Sequence, residues 1–202
     1  MKNKFLNYAI NTIHINNPSY NDTKLAEIRY GLEGIYLSIT KLIIIFLLAI
    51  LLNILKEMIF MLIIFNILRT TGFGLHATKS WICLVSSSVI FLGGPLLAKI
   101  IIINNLLKTI LSITAVILIY KYAPADTKKR PLIKEKKRNI YKFITTIKCI
   151  ILNIFIIFIK NNIITNIIIL GIYAEVIVIL PKTYKLFNMP YDNYKNYKPL
   201  YD

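Results

Sequence analysis

The sequence predicts an all-α protein: a polytopic integral membrane helix bundle with an interfacial amphipathic helical region at its N-terminal end. Three observations carry that prediction. Long aliphatic runs recur along the 202 residues, which are 56% hydrophobic with a mean hydropathy of +0.63, well above an ordinary globular chain. Those runs lack the two-residue alternation of barrel strands, and only helices or closed barrels satisfy their backbone inside a bilayer. The third is the placing of charge. The net charge is +16, which on a soluble chain would point to nucleic acid. Beside such apolar runs it reflects topology instead, because Lys and Arg accumulate on the cytoplasmic side. No nucleic-acid partner is expected.

Taken in order, residues 1–34 are mixed. In "FLNYAINTIHI", Phe5, Ala9 and Ile13 fall on one helical face with Leu6 and Ile10 beside it, the pattern of an interfacial helix. No uninterrupted apolar stretch follows Lys2 and Lys4, so a cleaved signal peptide is not expected. The pattern breaks at Pro18 and restarts with Asp22 or Thr23 as N-cap, followed by an apolar stripe of Leu25, Ile28 and Leu32. Six apolar segments follow at about 34–55, 58–68, 81–103, 106–120, 140–159 and 163–180. A full crossing takes about 20 residues. The second segment is short for that unless it extends through Arg69, and the fourth gains length if it begins near Asn104. The chain thus divides into an amphipathic region (1–34), a transmembrane domain (35–181) and a polar cytoplasmic tail (182–202).

The stretch 121–142 carries nine basic residues, among them Lys128, Lys129 and Arg130, against the acids Asp126 and Glu135. It belongs in the cytoplasm, and counting crossings then puts both termini and the 69–80 loop on the same side. The other side receives short turns near 53–57, 104–105 and 160–162.

One stretch concentrates the rare residues. "LRTTGFGLHATKSWICLV" (68–85) holds one of two histidines, one of two cysteines and the single tryptophan. His76 and Cys83 are seven apart, about 10.5 Å along a continuous helix, too far for the hydrogen bond of roughly 2.6–3.2 Å that joins a nucleophile to its base. Joint action therefore requires the chain to bend between them, with His76 in a loop and Cys83 in the first turns of the third span, capped by Ser80. A thiol at a helix N-terminus beside an imidazole is favoured as thiolate, while burial opposes it. Composition and spacing also allow a plainer reading, a packing thiol and a solvated histidine. Cys149 and His14 fit that plainer reading. "GLHATKS" is not a phosphate-binding loop, since Thr78 stands where the second glycine belongs. One His and one Cys do not make a metal site. Glu175 sits inside the last apolar run, where a carboxylate needs a partner; Arg29 and Arg69 are the candidates, and Glu33 is a second such acid.

"LRTTGFGLHATKSWIC" together with "YAPADTKKRPL" resembles the AgrB family, the accessory gene regulator B membrane peptidases of low-GC Gram-positive bacteria. "IRYGLEGI" and "YAEVIVILP" fit the same pattern, so the resemblance runs from about 29 to 181. It implies a cysteine endopeptidase in the bacterial cell membrane, with 35–181 as its peptidase domain and its active site near the cytoplasmic face. The substrate would be an AgrD-type precursor, the source of a cyclic autoinducing peptide for quorum sensing. By matching position, Cys83 is the nucleophile and His76 the general base. Arg69, Gly74 and Ser80 are supporting residues. Lys128, Lys129 and Arg130 form the basic cluster that would recruit the precursor's acidic tail, and Glu33 and Glu175 are further candidates for substrate contact. Lys79 adds a charge that the family linker does not lead one to expect, without altering the His–Cys spacing. The resemblance also implies a homodimer and no cofactor or metal. The alternative from another class is a small membrane peptide transporter without proteolytic activity.

Overall fold

In the computed structural model, residues 2–75, 80–127 and 131–196 are described, without the side chains of Ser80 and Asn196. The chain forms two compact units, Met1–Leu48 and Ala49–Asp202.

In the first unit, α1 (Lys2–Asn16) and the start of α2 (Asp22–Leu51) are joined by the expected break at Pro18. Leu6 of α1 is buried, Phe5 and Tyr36 rings lie 5.6 Å apart, and Lys2 pairs with Glu33 at 2.5 Å. The N-cap of α2 is Asn21 rather than Asp22 or Thr23. Asp22 is already helical, and the Asn21 Oδ1 one residue earlier accepts the Lys24 N–H at 2.9 Å, the position where a cap satisfies an orphan donor. Helix α2 runs through residue 34 without interruption as one 30-residue helix, about 45 Å long and longer than a bilayer core of about 30 Å. Gly31 and Gly34 do not interrupt it, because a glycine costs a helix only about 1 kcal/mol.

The second unit is built around α8 (Asn162–Ile179). This helix packs against α3 (Leu55–Gly72), α5 (Gly94–Ile100), α6 (Asn105–Tyr122) and α7 (Glu135–Phe158). Of its most apolar window 61% is buried, against 11–22% in the other candidate spans, as expected of a helix that is apolar on every side. Asn104 and Asn161 cap α6 and α7's successor α8, accepting N–H groups at 2.8 and 2.9 Å; the first gives the fourth segment the extra length foreseen for it.

Among the described residues there is no strand, and five helical segments are long and apolar enough to cross a membrane: Asp22–Leu51, Trp81–Ile100, Asn105–Tyr122, Glu135–Phe158 and Asn162–Ile179. The second apolar run is α3. It reaches 18 residues by extending past Arg69, but it carries Lys56, Glu57 and Arg69. Its charges are not left in apolar surroundings: Glu57 meets Lys99 at 2.8 Å and Arg69 meets Glu175 at 3.7 Å. The third run is divided into α4 (Ser80–Ser88), a π-helical turn (Val89–Gly93) and α5. Pro95 accounts for this, because its ring lacks an N–H and crowds the carbonyl four residues back, and a wider turn accommodates both.

The chain after 181 is not a loose polar end within its described part. Helix α9 (Pro181–Leu186) places Tyr184 in the core, and residues 190–194 return to the connection between α6 and α7.

Candidate functional site

The chain breaks just before His76, while the bend expected between His76 and Cys83 falls largely on residues outside the described set. Helix α3 ends at Gly72, and the next two residues have positive φ: 57° at Phe73 and 100° at Gly74. Such values stop a right-handed helix, and at residue 74 only glycine takes them without strain. A side chain there would also meet the Val178 carbonyl at 2.9 Å. One straight rod from Arg69 to Cys83 is therefore ruled out. His76 itself lies outside the described residues, as do Lys79, Lys128, Lys129 and Arg130.

Arg69 holds this bend. It stands in the last turn of α3, where a cation is favoured by the helix dipole and by unpaired carbonyls. Its guanidinium donates to the carbonyls of Phe73, of Gly74 at 3.1 Å and of Leu75 at 2.6 Å. Nη1 is also 3.7 Å from the Glu175 carboxylate. Glu175 is fully buried, and neither of its carboxylate oxygens has a hydrogen-bond partner among the described residues. Arg69 is thus its charge partner, the pairing the sequence admits alongside Arg29. The carboxylate lies so close to the α3 backbone that a Cβ on Gly72 would stand 2.5 Å from Glu175 Oε1. Beside it the Thr71 and Thr145 hydroxyls are 2.8 Å apart, and Lys148 Nζ donates to Thr70 Oγ1 at 2.8 Å.

Three connections meet at this end of the bundle. Ala125 donates its N–H to Gly72 O at 3.0 Å, Gly74 donates to Ala125 O at 2.7 Å, and Leu75 donates to Val178 O at 2.8 Å. Hence the stretch leading to His76, the loop leading to Lys128–Arg130 and the end of α8 share one face. Because the Gly74 N–H is committed to Ala125, it is not free to serve as an oxyanion donor.

Cys83 lies in the first turn of α4, half-buried and reduced. The unpaired N–H groups of that turn favour negative charge nearby. Ser80 opens the helix; its proposed capping role falls on a side chain outside the described set. Cys149, by contrast, is fully buried in α7, where its sulfur accepts from Asn153 Nδ2 at 3.4 Å, a packing role. Glu33 is with Lys2 in the first unit. Among the described residues, no group of three or more His, Cys, Asp or Glu side chains could hold a metal ion.

Sequence reasoning missed Asp126. It counts above as one of two acids opposing nine cations, yet it is buried and gathers the C-terminal segment. Its carboxylate accepts N–H groups from Asn193 and Tyr194, each at 2.8 Å, and from Leu132 at 3.2 Å. Its backbone carbonyl accepts the Tyr184 hydroxyl at 2.9 Å. Burial pushes that hydroxyl well above the ordinary phenol range, which keeps it a donor. The Arg138 guanidinium lies 3.9 Å above the Tyr194 ring. Asp126 thereby fixes both sides of the basic cluster. The available signal was a lone acid inside the cationic motif "APADTKKR".

Comparison with known proteins agrees with this picture. A model of the accessory gene regulator B family matches residues 3–179. The chain is 35% identical over 175 residues to a putative AgrB-like protein of Clostridium acetobutylicum, spanning 87% of this chain and 84% of that protein. Against a putative AgrB-like protein of Listeria innocua it is 33% identical over 174 residues, spanning 85% and 84%. Against accessory gene regulator protein B of Staphylococcus aureus it is 35% identical over 162 residues, spanning 78% and 83%. No solved structure matches. With its helical membrane architecture and a match across nearly its whole length, this chain belongs to the accessory gene regulator B family, and its role lies in the accessory gene regulator system.

Proposed function

We propose that this protein is a membrane cysteine endopeptidase that cuts an AgrD-type precursor after its cyclising core and passes the acyl group on to form the ring. The observation that carries the reading is the broken helix at 72–75, clamped by Arg69, with Cys83 in the first turn of the next helix. It takes the segment entering His76 off the axis of α3, which supports a chain that turns as it approaches the pair.

In this mechanism the His76 imidazole accepts the Cys83 proton, and the thiolate attacks the backbone carbonyl carbon at the C-terminal end of the core. The C–N bond breaks, the imidazolium returns its proton to the departing amine, and the acyl group stays on Cys83 as a thioester. A thiol or hydroxyl within the core then gives up its proton to the same imidazole and attacks the thioester. The new thiolactone or lactone bond forms as the Cys83 thiolate leaves. Acyl transfer conserves the activated bond, so no nucleotide is consumed in this step, and exclusion of water protects it.

Lys128, Lys129 and Arg130 recruit the acidic tail of the precursor. The reading also sets the active-site end of the bundle, with both termini, on the cytoplasmic side, since the cationic 121–142 stretch belongs there. The working form is a homodimer in the cell membrane, with 35–181 as the peptidase domain.

The test uses the full-length protein in liposomes with a synthetic precursor. Cleavage should disappear in Cys83→Ala and fall steeply in His76→Ala, and wild type should carry a hydroxylamine-labile acyl adduct on Cys83. Retained cleavage in Cys83→Ala rejects the nucleophile assignment. Uptake of uncleaved peptide into the vesicles favours a transporter.

A further inference from the structure

A second polar feature lies at the opposite end of the bundle, near the start of α6 and the end of α7. Lys108 is about 22 Å along α6 from Ala123, well away from the Gly74–Ala125 contact. A cavity of about 900 Å³ opens there between α6 and α7, within the range of ligand sites. Lys108 lines it and is buried, 7% exposed. Its ammonium donates to Asn162 Oδ1 and to Thr165 Oγ1, each at 2.8 Å. Both acceptors are neutral, and a lysine has three N–H donors. The charge is therefore uncompensated among the described residues, and one donor is left to spend. Lys160 lines the same cavity, and no Asp or Glu does. Asn153, also in the lining, has its Oδ1 buried without a hydrogen-bond partner, while its Nδ2 donates to Cys149 O at 3.0 Å.

These groups are graded by depth. Lys108 is three residues inside α6, Asn153 is five residues from the end of α7, and Lys160 follows that end. Further in, Ile117 and Ile150 continue the lining with aliphatic surface. A cationic mouth leading to an apolar trough between spanning helices matches a lipid with an anionic head. A soluble anion has no use for the trough, and a neutral lipid has less use for the two lysines.

We propose that this groove binds one anionic phospholipid, such as a phosphatidylglycerol. The phosphate accepts from Lys108 and Lys160, and an acyl chain runs along Ile117 and Ile150. The site is separate from the proposed peptidase chemistry and does not depend on it.

Native mass spectrometry of the intact protein in detergent, titrated with phosphatidylglycerol or phosphatidylcholine, tests this. Wild type should hold one phosphatidylglycerol in preference to phosphatidylcholine. Lys108→Gln and Lys160→Gln should each weaken that lipid about fivefold, the size expected per basic group near a charged membrane surface. Because Lys108→Gln disturbs a buried hydrogen-bond set, Ile154→Trp provides a second variant. It fills the trough, leaves both lysines in place, and should lower phosphatidylglycerol occupancy as well. Equal retention of the two lipids overturns the proposal, as does unchanged phosphatidylglycerol binding in Ile154→Trp and Lys160→Gln. Soluble glycerol phosphate binding as tightly as the lipid would make this a plain phosphate site, and displacement of the lipid by precursor peptide would make it a peptide groove; either result overturns it.

Discussion

Replacing Arg69 by Met separates what holds the site from what performs its chemistry. The variant keeps the aliphatic bulk and removes the charge. Glu175, fully buried and 3.7 Å from the guanidinium, loses its charge partner, and breaking a buried pair from one side costs about 3–5 kcal/mol. Arg69 retains 23% exposure, so the lower end, about 3 kcal/mol, is expected here. The carbonyls of Phe73, Gly74 and Leu75 lose a charged donor in the same step. Such bonds are each worth about 1.5–3 kcal/mol, but these carbonyls sit at a connection where water can replace the donor, so their loss loosens the bend more than it unfolds the bundle. The double variant Arg69→Met/Glu175→Leu removes the orphaned acid and should regain most of the stability, while the bend remains unclamped. Denaturant titration in micelles and precursor cleavage in liposomes, measured on both singles and the double, form a thermodynamic cycle. A stability coupling of about 1.5 kcal/mol or more, with cleavage lost in both Arg69 variants, is the expected result. Full recovery of cleavage in the double variant refutes the clamp, and an Arg69→Met protein as stable as wild type refutes the pairing.

Gly74→Ala should lower stability by about 1–2 kcal/mol from its positive φ alone, and cleavage more steeply because the new Cβ meets the Val178 carbonyl; unchanged cleavage at full stability counts against a fixed bend. Asp126→Ala removes the acceptor for the Asn193, Tyr194 and Leu132 amides and should raise protease sensitivity near residues 190–196 while the spanning helices stay folded; limited proteolysis reads this directly. Neutralising Lys128, Lys129 and Arg130 together should raise the precursor KM more than it lowers single-turnover chemistry at saturation, and equal effects on both would argue against recruitment.

The spans were legible because their signal is local. Aliphatic runs of the right length, with Asn104 and Pro18 as punctuation, fix where helices start and stop whatever they pack against. The break before His76 was legible for a related reason: Gly72 and Gly74 allow backbone conformations that end a helix, whereas the bend asked for by the His76–Cys83 spacing falls largely outside the described residues. Partners across the fold were not legible. Glu175 reads as an acid in need of a cation, but only packing of α8 on α3 selects Arg69. Asp126 reads as a minor offset to a cationic loop, and nothing local announces that Asn193 and Tyr194, more than sixty residues later, come back to it. The length of α2 was hidden by its composition, since the sequence changes from mixed to aliphatic near 34 while the helix runs on through Asp22–Leu51.

The reciprocal backbone bonds between residues 72–74 and Ala125 have a mechanical consequence. They tie the strand of chain entering His76 to the one entering Lys128, so a load applied to either is borne by the other within a single peptide unit. Under the proposed function, a precursor tail held by the cations would pull on Ala125, and that tension would reach the bend ahead of the histidine without passing through any helix. Under that proposal, capture of the tail and alignment of His76 with Cys83 would be two ends of one short lever.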